Sequence, residues 1–82
     1  MRIRVKVTGV LEDYLPTGSS NPMELNVGDG ASPMDVIRRL RLSTNDRYLI
    51  AVNGDVVLQS EQASHSLGEN DSISIMPPLK GG

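Results

Sequence analysis

From Arg2 to Thr8 the chain alternates without a break between polar and aliphatic residues. Successive side chains of a strand point to opposite faces, so this pattern specifies a strand with Ile3, Val5 and Val7 on a buried face and Arg2, Arg4 and Lys6 on a wet one. Such a strand is not stable by itself. It needs neighbours to complete a sheet and a second layer to cover its aliphatic side. With 82 residues and no cysteine, the chain has room for one domain, near the lower limit at which a hydrophobic core suffices without metals or disulfides. The remaining strands and the cover must all come from that one small fold.

Met23, Leu25 and Val27 alternate with Glu24 and Asn26, which specifies a second strand closed by Gly28-Asp29-Gly30. Between the two strands, Leu11 to Pro16 reads as a turn or short helical element. Thr17-Gly18-Ser19-Ser20-Asn21-Pro22 is dense in turn formers and reads as a mobile loop. A helix then starts: Ser32 is placed to cap the free backbone N–H groups, Pro33 suits the first helical position, and Asp35 brings negative charge to the positive end of the dipole. Met34, Val36, Ile37 and Leu40 form its apolar stripe and Arg38, Arg39 and Arg41 its wet side, over roughly Pro33 to Leu42.

Tyr48 to Val52 reads as a buried strand, Asn53-Gly54 as a tight hairpin turn, and Val56-Val57-Leu58 as the returning strand. Gln59 to Asn70 is polar and irregular, with Leu67 as its anchor. Ser72-Ile73-Ser74-Ile75 is a last strand, stopped by Pro77 and Pro78, neither of which can donate to a ladder. The order is strand, strand, helix, strand, strand, strand, which predicts an α+β fold with the helix across one face of the sheet. The expected core is Ile3, Val5, Val7, Leu25, Val36, Ile37, Leu40, Val52, Ile73 and Ile75.

Composition excludes several functions. A net charge of -2 and a pI near 5.1 oppose a nucleic-acid partner, which calls for a basic face. Tyr14 and Tyr48 are the only aromatics, too few for a base-stacking platform. One histidine, His65, does not make a zinc site, and the carboxylates do not follow the spacing of a calcium loop. The basic start alternates where a signal peptide would be uniformly apolar, and no run is long enough to span a bilayer, so the chain reads as cytoplasmic with no membrane partner. No Ser/His/Asp arrangement or phosphate-cradling loop is present, and the chain does not read as an enzyme by itself.

The element order, with Leu11-Glu12-Asp13-Tyr14-Leu15-Pro16, Val52-Asn53-Gly54, Leu67-Gly68-Glu69-Asn70-Asp71 and the ending Pro77-Pro78-Leu79-Lys80-Gly81-Gly82, resembles the β-grasp sulfur carriers. These are the molybdopterin-synthase small subunit and the thiamine-pathway sulfur carrier, prokaryotic relatives of ubiquitin. The diproline and the length resemble the molybdopterin branch more, although Ile75 and Met76 stand where that branch often has aromatics. The resemblance implies a β-grasp domain over residues 1–76, with a mixed five-strand sheet and one main helix. It also implies a flexible functional tail over residues 77–82.

It further implies a chemistry. A carboxylate is a poor electrophile, because attack adds charge to a resonance-stabilised anion. In the family, an E1-like adenylating enzyme converts the terminal carboxylate, here that of Gly82, to an acyl-adenylate. Sulfur then displaces AMP and leaves a thiocarboxylate for a synthase large subunit or another acceptor. ATP is used by the activating enzyme, and no cofactor is bound by the chain. The tail residues suit this chemistry. Gly81-Gly82 can thread a narrow channel, and Pro77 and Pro78 favour an extended path with little entropy left to lose on docking. Leu79 offers an apolar anchor, Lys80 a cation for an acidic rim or phosphates, and Met76 completes the partner-binding stretch. Two alternatives share this tail: a ubiquitin-like modifier whose activated glycine is attacked by a lysine amine, and a non-covalent β-grasp interaction module.

Overall fold

A computed structural model of the protein describes residues 1–9, 11, 22–43 and 47–77. The element expected at Leu11–Pro16 and the loop Thr17–Pro22 lie outside the described residues, except for Leu11 and Pro22. The chain forms β1 (Arg2–Val7), β2 (Met23–Asn26), α1 (Pro33–Arg39), β3 (Leu49–Val52), β4 (Asp55–Val57) and β5 (Ser72–Met76), with a short 3-10 turn at Gln59–Glu61. This is the expected order. The five strands form one sheet in the order β2-β1-β5-β3-β4, with β1 and β5 parallel and the other pairs antiparallel. Parallel neighbours cannot be joined by a tight turn, so everything between Val7 and Ser72 serves as the crossover. Val36 and Ile37 of α1 belong to one buried cluster with Ile3, Val5, Val7, Ile50, Ile73 and Ile75, which places the helix on the aliphatic face. The result is an α+β fold of the β-grasp, ubiquitin-like type.

Local chemistry explains the element ends. The Ser32 hydroxyl accepts from the Asp35 N–H at 3.3 Å and the Asp35 carboxylate accepts from the Ser32 N–H at 2.9 Å, a reciprocal capping box. At the hairpin, Asn53 and Gly54 have φ of 52° and 88°. Both lie in the left-handed region that a two-residue turn needs to match the strand twist.

The helix is shorter than its apolar stripe suggests, ending at Arg39 with Leu40 as its cap. Arg41 takes φ of 61°. Its N–H donates to the Arg38 carbonyl at 3.0 Å, and the Leu42 N–H reaches back to the Ile37 carbonyl at 3.1 Å. These two bonds are a Schellman ending, with an arginine where glycine is usual. The ending turns Leu42 into the core and leaves Leu40 half-buried, not in the core as expected. Leu25 is half-buried for a different reason: β2 is an edge strand with a neighbour on one side only. Because a side chain in the left-handed region carries a penalty of about 1–2 kcal/mol, partly offset by the backbone entropy of glycine, Arg41→Gly is expected to stabilise the fold by about 0.5–1 kcal/mol. A thermal melt reads this as a rise of roughly 3–6 °C in a domain this small. A fall would show that the Arg41 side chain does more than occupy the turn.

Gln62 is buried among otherwise polar, exposed neighbours. Its side-chain amide donates to the Tyr48 carbonyl at 3.0 Å and its own carbonyl accepts from the Met34 N–H at 3.0 Å. It therefore ties the first turn of α1 to the entry of β3 and satisfies backbone groups that burial would otherwise orphan.

Candidate functional site

Of the residues assigned to the tail and its docking stretch, Met76 and Pro77 are described; Pro78, Leu79, Lys80, Gly81 and Gly82 lie outside the described residues. The site is therefore defined by its root, the place where β5 hands over to the tail. β5 is the central strand, paired with β1 on one side and β3 on the other. Its parallel ladder with β1 runs from Arg4↔Ser72 to Val7↔Ile75, and the Thr8 N–H then donates to the Ile75 carbonyl at 3.1 Å. The next rung would run from the N–H of residue 77 to the Thr8 carbonyl. Proline has no N–H, so the rung is missing. The Thr8 carbonyl is satisfied instead by the Leu11 N–H at 3.3 Å. β5 ends at Met76, and β1 turns away through Gly9, whose φ is +61°. Pro77 is half-buried against Gly9.

The sheet face opposite α1 changes character across its width. On β1 it carries the exposed Arg2, Arg4 and Lys6. Arg2 lies 3.4 Å from Glu24 of β2, a solvent-exposed pair of small energetic weight. Small side chains follow: Lys6 is level with Ser74, Ser74 with Ala51, and Ala51 with Val56. The row nearest the tail is apolar. Met76 is level with Leu49, and continuing the β3–β4 register by one residue sets Leu58 opposite Leu49. Leu49, Val56 and Leu58 are 36%, 61% and 61% exposed. No motif marks this apolar row, and sequence reasoning missed it. The signal is nonetheless there, because an inward Ile50 and an inward Val57 oblige Leu49, Ala51 and Val56 to face outward.

The other end of the sheet is structural. The segments Val52-Asn53-Gly54 and Leu67-Gly68-Glu69-Asn70-Asp71 meet there. The Asn53 side-chain amide donates to Asp71 at 2.9 Å, its oxygen accepts from the Ser72 N–H at 2.9 Å, and the other Asp71 oxygen accepts from the Gly68 N–H at 2.6 Å. The Arg4 N–H donates to the Asp71 carbonyl at 2.9 Å and the Asn70 N–H to the Arg2 carbonyl at 2.8 Å. These bonds fasten the start of β5 to β1 and to the hairpin turn, and so fix the register on which the tail root depends. His65 is half-buried in the loop that leads there. Among the described residues there is no group of three or more His, Cys, Asp or Glu able to hold a metal, and no helix is long and apolar enough to cross a membrane.

The Gly68 N–H, followed by the Asn53 amide, holds the Asp71 carboxyl below the usual carboxylate value. The Ser32 N–H does the same for Asp35. A carboxylate with a folded value below its unfolded one stabilises the fold above the unfolded value, about 3.9 for Asp, and that contribution is lost as pH falls through the lower folded value. Stability is therefore expected to hold from neutrality to about pH 4 and to decline below it. Asp35 is exposed and Asp71 half-buried at the surface, so each contribution is modest. Thermal melts of wild type and Asp71→Asn between about pH 2 and pH 6 check this: the variant should show the shallower acid decline. Parallel curves would remove Asp71 from the groups responsible.

The sequence matches the ThiS family over residues 13–82, while no curated protein matches it. Among solved structures, the fold is similar to the HVO 2177 protein of Haloferax volcanii, with a TM-score of 0.80 and 20% identity over 100% of this chain and 87% of that one. It is similar to SAMP1 of the same organism, a small archaeal modifier protein, with a TM-score of 0.70 and 14% identity over 100% of both chains. A third is the Pyrococcus furiosus protein assigned as molybdopterin converting factor, subunit 1, with a TM-score of 0.71 and 19% identity over 96% of this chain and 99% of that one. At these identities the likeness establishes the shared fold.

Proposed function

Because this chain belongs to the ThiS family, we propose that it is a sulfur carrier that reacts through the terminal carboxylate of Gly82. The observation that carries this reading is the construction of the tail root. The central strand, held on both sides, is stopped at Met76 by the diproline, six residues before Gly82. A group to be delivered into another protein's active site is best mounted on the part of the fold least free to move, and a central strand is that part.

The chemistry asks little of the chain's side chains. An E1-like enzyme transfers AMP from ATP to the carboxylate and releases pyrophosphate. Hydrosulfide then attacks the activated carbonyl, AMP leaves, and the thiol proton is lost to give a thiocarboxylate on Gly82. The absence of cysteine agrees with this, since the sulfur is held on the terminus. The apolar row Met76, Leu49 and Leu58 beside the root supports a protein partner in each step, because an exposed apolar patch gains stability when another surface covers it. For the acceptor we propose the large subunit of a molybdopterin synthase. The diproline at this spacing and the likeness to a molybdopterin converting factor subunit 1 support that choice.

The likeness to a small archaeal modifier protein over the full length of both chains favours one second reading: the same activated glycine transferred to a lysine amine. Denaturing mass spectrometry of the protein purified from its native cells separates the two. The carrier reading expects a species in which one sulfur replaces one oxygen, located on the C-terminal peptide. Isopeptide-linked adducts with no such species would favour the modifier, and the bare mass alone would contradict both.

A further inference from the structure

We propose that Gly9 is a positioning residue for the tail: it is the seat on which Pro77 rests, and it sets the heading with which the chain leaves the sheet toward Gly82. Two separate requirements meet at this residue. The first is the turn. β1 must leave the ladder directly after Thr8, and it does so with φ of +61° at Gly9, which L side chains rarely adopt. The second is space. A Cβ at residue 9 would lie 3.2 Å from Cγ and 3.7 Å from Cδ of Pro77, the first closer than ordinary van der Waals contact. Pro77 is half-buried although it lies beyond the last strand and has no N–H to bond with. Its ring packs on the bare backbone of Gly9, and this contact replaces the missing rung of the β1–β5 ladder.

The two requirements can be separated by substitution. Asparagine tolerates the left-handed region, as Asn53 and Asn70 do in this fold at φ of 52° and 67°. Gly9→Asn therefore meets the turn requirement and violates the space requirement, pushing the Pro77 ring outward. Five residues reach at most about 16–18 Å, so a change of roughly 10° at the root displaces the end of the chain by up to about 3 Å. The seat belongs to the geometry of the fold, whereas its use in delivering the Gly82 carboxylate rests on the carrier reading.

The absence of cysteine permits a test independent of that reading. Spin labels on Glu61→Cys and Gly82→Cys report the distance from the domain to the chain end by pulsed electron paramagnetic resonance. Gly9→Asn should melt within a few degrees of the parent and shift the mean distance by up to about 3 Å. Pro77→Ala, which removes the ring and leaves Gly9 intact, should also shift or broaden the distribution. Adding Gly9→Asn to Pro77→Ala should then change nothing further. Superimposable distributions for the parent and Gly9→Asn overturn the proposal. Should Gly9→Asn fail to fold, an unchanged distribution in Pro77→Ala overturns it instead.

Adenylation of the unlabelled chains is read alongside. With wild type active, Gly9→Asn should lower kcat by at least about tenfold at unchanged KM, since misplacing a reacting group by about 1 Å can cost up to the order of a hundredfold. An unchanged kcat overturns the positioning role even if the distance shifts. A wild type that is not adenylated counts against the carrier reading, and the distances alone then decide the seat.

Discussion

Ile37→Ala is expected to cost about 2–5 kcal/mol of folding stability, the usual range for emptying an aliphatic core site. Ile37 is 0% exposed and lies on the inner face of α1, the only helix covering the sheet among the described residues. Its carbonyl also accepts the Leu42 N–H that closes the helix, so the side chain and the backbone around it are both committed. Small domains hold roughly 5–15 kcal/mol in total, which makes this a large fraction, equivalent to a fall in Tm of roughly 10–30 °C. Urea titration should show a lower midpoint with an unchanged slope, the mark of lost stability without a change in the surface exposed on unfolding. Leu40→Ala provides the contrast. Leu40 is half-buried at the helix cap and should lose markedly less. Equal losses at the two positions would contradict the inward orientation of the helix stripe.

Periodicity makes most of this fold legible in the sequence. Ile3, Val5 and Val7 alternate so regularly that only one face can be buried, and Ser32, Pro33 and Asp35 announce a helix start by chemistry that acts within a single turn. Asn53-Gly54 is similarly local. The less legible features depend on partners distant in sequence. Nothing in the local pattern of Leu25 says that its strand lies at an edge. The early end of α1 depends on Arg41 adopting a glycine-like conformation, and no residue preference signals that. Gln62 sits in a polar stretch and is buried because Tyr48 and Met34 present backbone groups to it. The proposed tail chemistry is suggested by Pro77-Pro78-Leu79-Lys80-Gly81-Gly82, because it resides in residue types. Its mounting is not: that β5 lies between β1 and β3, with Gly9 under Pro77, is a property of the assembled sheet.

Deleting Gly82 is expected to abolish nearly all adenylation while leaving the fold untouched. The truncated chain ends in a carboxylate on Gly81 that is chemically equivalent but withdrawn by up to about 3.3–3.6 Å. A reacting carbonyl must stand close to and in line with the α-phosphate of ATP, and a displacement of even about 1 Å can cost on the order of a hundredfold in rate. Gly82→Ala keeps the reach and adds a methyl group beside the carbonyl to be attacked, so its defect should be smaller than that of the deletion. Neither change removes a side chain, and melting should match wild type. The direct measurement is ATP–pyrophosphate exchange catalysed by the cognate activating enzyme, with the full chain and the Gly82-deleted chain compared at equal concentration and equal Tm. Exchange with the full chain and a loss of at least about a hundredfold on deletion is the result expected of a carrier that works through its terminal carboxylate. Equal exchange with both chains would contradict it.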